Sequence, residues 1–247
     1  MKTVKQRAGR GSWSAGAALA IAASVFATWV VSMAALLGSP SDGLPVWLWP
    51  LGTLWLTFLY TGLFITAHDA IHGNIWPRHR QVNAWIGRVI LFLYALFPYG
   101  KVREQHFLHH KFPGRSKDPD YHDGKHKGFF RWYLHFMLHY LTVWQLLGMA
   151  VVFNVLQHLI GIPIGKVLAF WVAPALLSTV QLFFFGTYLP HREPVGGYTN
   201  RHHAESNDYP VWLSFLTCYH FGYHLEHHQY PGTPWWRLPK RYAARQA

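Results

Sequence analysis

The sequence predicts an all-α integral membrane protein, with about four transmembrane helices and a histidine-rich di-metal cap on their cytoplasmic side. Three observations predict it. Of the 247 residues 51% are hydrophobic and 13% charged, against roughly 25% charged in soluble domains. Several apolar runs reach the ~20 residues a helix needs to cross a bilayer. Histidines recur at helical spacing: His68 and His72 at i,i+4, and the pattern H-x-x-H-H twice, at His106, His109, His110 and at His224, His227, His228.

The chain reads as one domain over residues 1–247. Residues 1–12 carry Lys2, Lys5, Arg7 and Arg10 and no acid. The apolar run 15–37 resembles a signal peptide, but it is long enough to span and no clear small-residue cleavage site ends it, so it reads as a retained first helix. The Gly/Pro-rich stretch 38–45 breaks it. A second span, 46–67, leads directly into His68. The run 82–100 contains Asn83 and Arg88 and reads as interfacial or re-entrant. The third and fourth spans are 132–160 and 166–189, the last ending at Pro190-His191-Arg192.

Counting fixes the topology. All histidine clusters must share one side to meet, which requires an even number of crossings between them. The far-side loops are then 38–45 and 161–166, and of the 22 Lys and Arg residues they hold Lys166 alone. The positive-inside rule puts both termini and the metal site in the cytoplasm. The net charge of +12 therefore follows topology and surrounds apolar spans, which excludes a nucleic-acid binder. Thirteen Trp, thirteen Tyr and seventeen Phe suit interfacial belts and an aromatic substrate channel. The single cysteine, Cys218, excludes an intramolecular disulfide or a cysteine-rich metal site and reads as a small buried hydrophobe.

Residues three and four apart share a helix face, while adjacent ones point about 100° apart. So His106 and His110 face one way with His68 and His72, joined by His227, and His109 faces the other way with His224 and His228. The second set is one ligand short. His191 is the first candidate, because it ends the last span at the same membrane face; His202 and His203 are the alternatives. Neutral imidazole suits iron, copper, zinc and nickel. Zinc takes three or four protein ligands, so the set oversupplies one zinc and fits two irons better. Ligand histidines need an acceptor on the other ring nitrogen; Asp69, Glu104, Glu226, Asp118 and Asp120 are the candidates. His79, His126 and His158 read as packed or solvated, His135 and His139 as interfacial, and His220 as a residue behind the ligands.

At these residues the sequence resembles the membrane fatty-acid desaturase and hydroxylase superfamily, and within it the bacterial β-carotene ketolases. The three histidine boxes carry the broad likeness. The finer one rests on His68-Asp-Ala-Ile-His-Gly73, His109-His-Lys-Phe-Pro-Gly114, Asp118-Pro-Asp-Tyr-His122, Tyr188-Leu-Pro-His-Arg192, and Phe221-Gly-Tyr-His-Leu-Glu-His-His228 followed by Pro234-Trp-Trp-Arg-Leu-Pro239. One departure is Arg201-His202-His203, where the family pattern is Arg-His-Asn. The resemblance implies a di-iron monooxygenase of a bacterial inner membrane. It would use O2 and electrons from a reduced ferredoxin-type donor to oxidise the C4 methylene of a β-ionone ring to a ketone. β-Carotene would give echinenone and canthaxanthin, and hydroxylated rings would lead toward astaxanthin.

An apolar C–H bond offers no acid–base handle, so the hard chemistry falls to the metals and positioning to the protein. The carotenoid would enter from the membrane lipid. The basic residues Lys101, Arg103, Lys111, Arg115 and Lys117 would dock an acidic donor or anionic lipid. Rival readings are a carotenoid 3-hydroxylase, a fatty-acyl desaturase or an alkane hydroxylase of the same superfamily. A metal transporter would place polar residues mid-span, whereas these clusters lie at span ends.

Overall fold

The computed structural model describes residues 14–40 and 43–247. The basic segment 1–12 lies outside them. The described residues form helices and no strand. Helix α1, Ala15–Gly38, starts where the Ser14 side chain accepts from the Ala17 amide at 3.1 Å. Of its 24 residues only Ala18, Ala22, Trp29 and Met33 are buried, as suits a helix facing lipid. Its C-terminal end is closed by the far-loop cation: Lys166 donates to the Ser39 carbonyl, to Ser39 Oγ at 2.8 Å and to the Pro40 carbonyl at 3.2 Å.

Helix α2, Trp49–His72, follows a 3₁₀ turn at Val46–Leu48 and forms with it the second long apolar helix. It ends because Gly73 turns to φ +78°, which lets the Gly73 and Asn74 amides cap its last carbonyls. Both α2 histidines lie in its last two turns. Helix α7, Ile164–His191, is the third long apolar helix; it contains π-turns at Leu168–Val172 and Phe184–Tyr188. Around α2 pack α1, α3 and α7, and their shared core holds Leu56, Tyr60, Leu63, Leu91, Tyr94 and Phe170, all buried.

Helices α3, Arg80–Ala95, and α4, Tyr99–Lys111, meet at 104°, with Leu96 at φ +55° and Pro98 at the corner. Helices α5, Phe129–Tyr140, and α6, Val143–Leu159, meet at 90°. The continuous third span expected over 132–160 is therefore broken at Leu141 and Thr142. The two corners cap each other. Thr142 leaves helical backbone and takes the Gln145 amide on its hydroxyl; Gln145 Nε2 then donates to the Ala95 carbonyl at 2.7 Å. Lys101 Nζ donates to the freed Leu141 carbonyl at 2.7 Å. Among the described residues three helices are long and apolar enough to cross a membrane, and up to five if each bent pair counts as one span. Outward-facing Trp144, Phe130 and Trp212 give the exterior the apolar surface of a membrane protein. Short helices α8, Val211–Cys218, α9, His224–Gln229, and α10, Leu238–Gln246, complete the chain, and Cys218 is buried.

Candidate metal centre

Four helix ends converge on one place: the last turns of α2, all of α4, the end of α7, and α9. They bring together two groups of histidines, the ligand atoms within each group lying within 4.8 Å of one another: His68, His72, His106, His110 and His227; and His109, His191, His224 and His228. The division is the one helical spacing predicts, and His191 is the fourth member of the smaller group. Nε2 to Nε2 distances in the first group are 3.2 Å for His68–His227, 2.7 Å for His72–His106 and 2.8 Å for His110–His227. In the second they are 3.0 Å for His109–His228 and 3.0 Å for His224–His228.

Two nitrogens bound at right angles to one metal at about 2.1 Å stand about 3.0 Å apart, close to these separations. As hydrogen bonds they fit poorly. Asp118 Oδ1 accepts from His109 Nδ1 at 2.9 Å; against its burial, Asp118 and Asp120 push this imidazole up to about 9, so a cation bound at Nε2 would replace a proton there. His228 Nε2 faces both that atom and His224 Nε2, and a neutral His228 has at most one proton there to give. His191 donates its Nδ1 proton to the His203 carbonyl at 2.7 Å, which leaves His191 Nε2 as a buried lone pair with no hydrogen-bond partner among the described residues. Burial also pushes the imidazoles of His224, His227 and His228 well below their ordinary range, with neighbouring histidines adding to the effect. Converging ring nitrogens of this kind suit a cation, and the donor set is that of iron, copper, zinc or nickel.

The acids divide. Asp118 is buried, accepts from His109 and also takes the Gly114 and Asp120 amides at 2.8 and 2.9 Å. Burial acts to raise its carboxyl, but His109 holds it below the usual carboxylate range. Asp120 lies 3.7 Å from His109 Nδ1 and takes the Tyr140 hydroxyl; burial pushes it up to about 6. The other three candidates do not back a ring. Asp69 takes the Trp235 amide at 3.1 Å and stands 3.8 Å from His68 Nδ1, beyond hydrogen-bond reach. Glu226 is buried but bonds Ser206 and Arg245, tying α9 to the segment before α8 and to α10. Glu104 is exposed, because two residues from His106 is about 200° around the helix.

His202 stays outside both groups, its ring centroid 5.7 Å from that of His228. His203 contributes its carbonyl; its own ring stacks on Tyr198 at 4.4 Å, with backbone φ +44°. Residues missed from the sequence are those that hold the loops. Trp132 Nε1 donates to the Asp120 carbonyl at 2.7 Å, and Asn200 closes the turn that aims the His203 carbonyl. No local spacing signals either.

An apolar cavity reaches both groups. Phe64, Tyr94, Phe136, Leu182 and Phe221 line it, and His68, His106, His109 and His224 stand in its wall. The Phe221 ring lies 4.7 Å from His68, 5.1 Å from His224 and 5.3 Å from His227. It fits there because Gly186 has no side chain: a Cβ would stand 2.5 Å from the Phe221 ring.

The fatty acid desaturase family profile matches residues 44–148 and 140–247, most of the chain. The chain belongs to the fatty acid desaturase family. Among relatives of this desaturase-family chain, a β-carotene ketolase of Haematococcus lacustris is 43% identical over 74% of this chain and 59% of its own length. A β-carotene ketolase of Paracoccus sp. (strain N81106 / MBIC 01143) is 42% identical over 75% of this chain and 76% of its own length. An sn-1 oleoyl-lipid 12-desaturase of Arthrospira platensis is 28% identical over 72% of this chain and 62% of its own length. The chain thus spans about three-fifths of the length of the Haematococcus relative.

Proposed function

We propose that this chain is a carotenoid 4-ketolase, a di-iron oxidoreductase that uses O2 to convert the C4 methylene of a β-ionone ring to a ketone. The observation that carries the reading is an apolar cavity with both histidine groups in its wall, in a chain 42–43% identical to β-carotene ketolases. His68, His72, His106, His110 and His227 would hold one iron, and His109, His191, His224 and His228 the other. When bound, the irons supply the O2 activation needed to break a C–H bond that no side chain can polarise.

The rest falls to the protein. Asp118 and the His203 carbonyl fix the tautomers of His109 and His191, so that Nε2 is the free donor. Phe64, Phe136, Leu182 and Phe221 exclude water and hold an apolar ring against the histidines. The substrate comes from the bilayer around α1, α2 and α7, into a chain set in a bacterial inner membrane with its metal site and termini cytoplasmic. Electrons come from an acidic ferredoxin-type donor. Arg103, Lys111, Arg115 and Lys117 near α4 suit its docking, while Lys101 serves the α5–α6 corner instead.

The test is expression in a bacterium that accumulates β-carotene, with the pigments identified by chromatography and mass. New 4-keto carotenoids are expected. A 3-hydroxy product would move the chain to the carotenoid hydroxylases, and unchanged β-carotene beside folded, iron-loaded protein would overturn carotenoid oxidation.

A further inference from the structure

Buried threonines in the long helices return their hydroxyls to the backbone, with one exception. In α2, Thr57, Thr61 and Thr66 donate to the carbonyl four residues back at 2.8, 3.0 and 2.8 Å. In α7, Thr179 donates to the Leu176 carbonyl at 2.7 Å. Thr187 is 7% exposed, and its hydroxyl has no hydrogen-bond partner among the described residues. It lines the cavity, beside Gly186 and one turn before His191, inside the π-turn Phe184–Tyr188. Such turns disturb helix register and recur at functional sites.

The other hydroxyls lining this cavity are engaged. Tyr94 bonds Ser178, Tyr140 bonds Asp120, and Thr179 meets Tyr133 at 2.6 Å. A cavity-lining hydroxyl with no protein partner among the described residues is left free for a ligand to take up. β-Carotene is a hydrocarbon and gives it nothing. The half-oxidised product does.

We propose that Thr187 binds the C4 hydroxyl of the intermediate alcohol and so commits it to the ketone; the inference rests on the ketolase reading. In the first round a C4–H bond breaks and one oxygen atom of O2 enters as hydroxyl. The other oxygen leaves as water, with two electrons from the ferredoxin-type donor and two protons. A second identical round at the same carbon gives a geminal diol, which loses water to the ketone. Release after the first round would end the reaction at the alcohol. A hydrogen bond from Thr187 exists only once that alcohol has formed, so it retains the intermediate without tightening the binding of substrate.

Thr187→Val and Thr187→Ser test this in the β-carotene-accumulating host and in the purified chain in lipid nanodiscs. With Val, the ratio of 4-hydroxy to 4-keto product should rise roughly tenfold, the worth of about one hydrogen bond. Consumption of β-carotene should stay within about twofold of wild type, and Ser should restore the wild-type ratio. A second readout needs no turnover. The metal-free Val variant should bind 4-hydroxy-β-carotene about tenfold more weakly than wild type and bind β-carotene equally well. Its thermal midpoint should not fall, because no native hydrogen bond is lost. A wild-type product ratio with unchanged alcohol binding would overturn the proposal, as would parallel loss of β-carotene consumption, which marks a role in shape alone. If the wild-type chain makes no 4-keto carotenoid, the ketolase reading fails, and the binding comparison still decides Thr187 by itself.

Discussion

In the four-histidine group two rings are held from behind, His109 by the Asp118 carboxylate and His191 by the His203 carbonyl, and all four rings are buried. In the five-histidine group no Nδ1 atom has such a hydrogen bond among the described residues, and His72 and His110 are only half-buried. Those five rings are oriented mainly by one another, edge to face, with His68 and His72 centroids 4.8 Å apart and His68 and His227 4.5 Å apart. Identical donors can therefore make a site fixed before any cation arrives and a neighbour that takes its final geometry from the cation. The smaller group should bind first and release last, and the larger should exchange with solvent through His72 and His110.

The largest test of that difference removes one ring from each group. His109→Ala and His227→Ala should each lower ketone formation by at least ~10³-fold if the proposed chemistry uses both ions. Iron content separates them. His227→Ala should keep about one iron per chain, in the four-histidine group, whereas His109→Ala should leave the larger group loaded but more easily stripped by a chelator. Equal stripping of the two variants would break the contrast, and full activity in either would contradict two ions sharing nine histidines.

Asp118→Asn sharpens the comparison without deleting a ligand. The change removes the carboxylate behind His109 Nδ1 and should weaken metal binding at the four-histidine group by ~10–100-fold. The five-histidine group should be unaffected, so a competitive chelator titration should resolve one weakened and one wild-type site. Two sites weakened alike would mean that Asp118 acts through the whole fold, for which its bonds to the Gly114 and Asp120 amides give a route.

The sequence discloses the grouping of the nine histidines well, because i, i+3 and i+4 spacing is a local property of helices that form anyway. His191 was legible from its place at the end of the last apolar run. What sits behind the rings was harder to read. Asp69 and Glu226 lie next to or between ligands in the sequence, but neighbours on a helix diverge by about 100°. They serve Trp235 on one side and Ser206 with Arg245 on the other. Asp118, nine residues from His109, reaches it because the loop after α4 folds back. The corner at Leu141 and Thr142 is invisible to hydropathy: nothing there is charged, and the break depends on two distant partners, Lys101 on the Leu141 carbonyl and the Ala95 carbonyl on Gln145. The carbonyl of His203 was out of reach for a similar reason, since attention to a histidine falls on its ring.

The smallest expected effect separates closeness in sequence from closeness in space. Glu104 stands two residues from His106 and reads in the sequence as a partner for a ligand ring. In the structure it is exposed on the opposite side of α4, while the buried face of the same helix carries Val102, His106 and His109. An exposed glutamate with no partner among the described residues contributes little to stability, within about 0.5 kcal/mol. Glu104→Gln should therefore leave iron content at both groups unchanged and turnover with a chemical reductant within about twofold of wild type. Its influence falls on the basic surface around Arg103 and Lys111, where losing a negative charge should favour an acidic donor slightly, most visibly at low ionic strength. Loss of iron from the five-histidine group in this variant would show that Glu104 turns inward to hold His106 or His110. The larger group would then possess an anchored ring of its own, and the contrast between the two groups would fail.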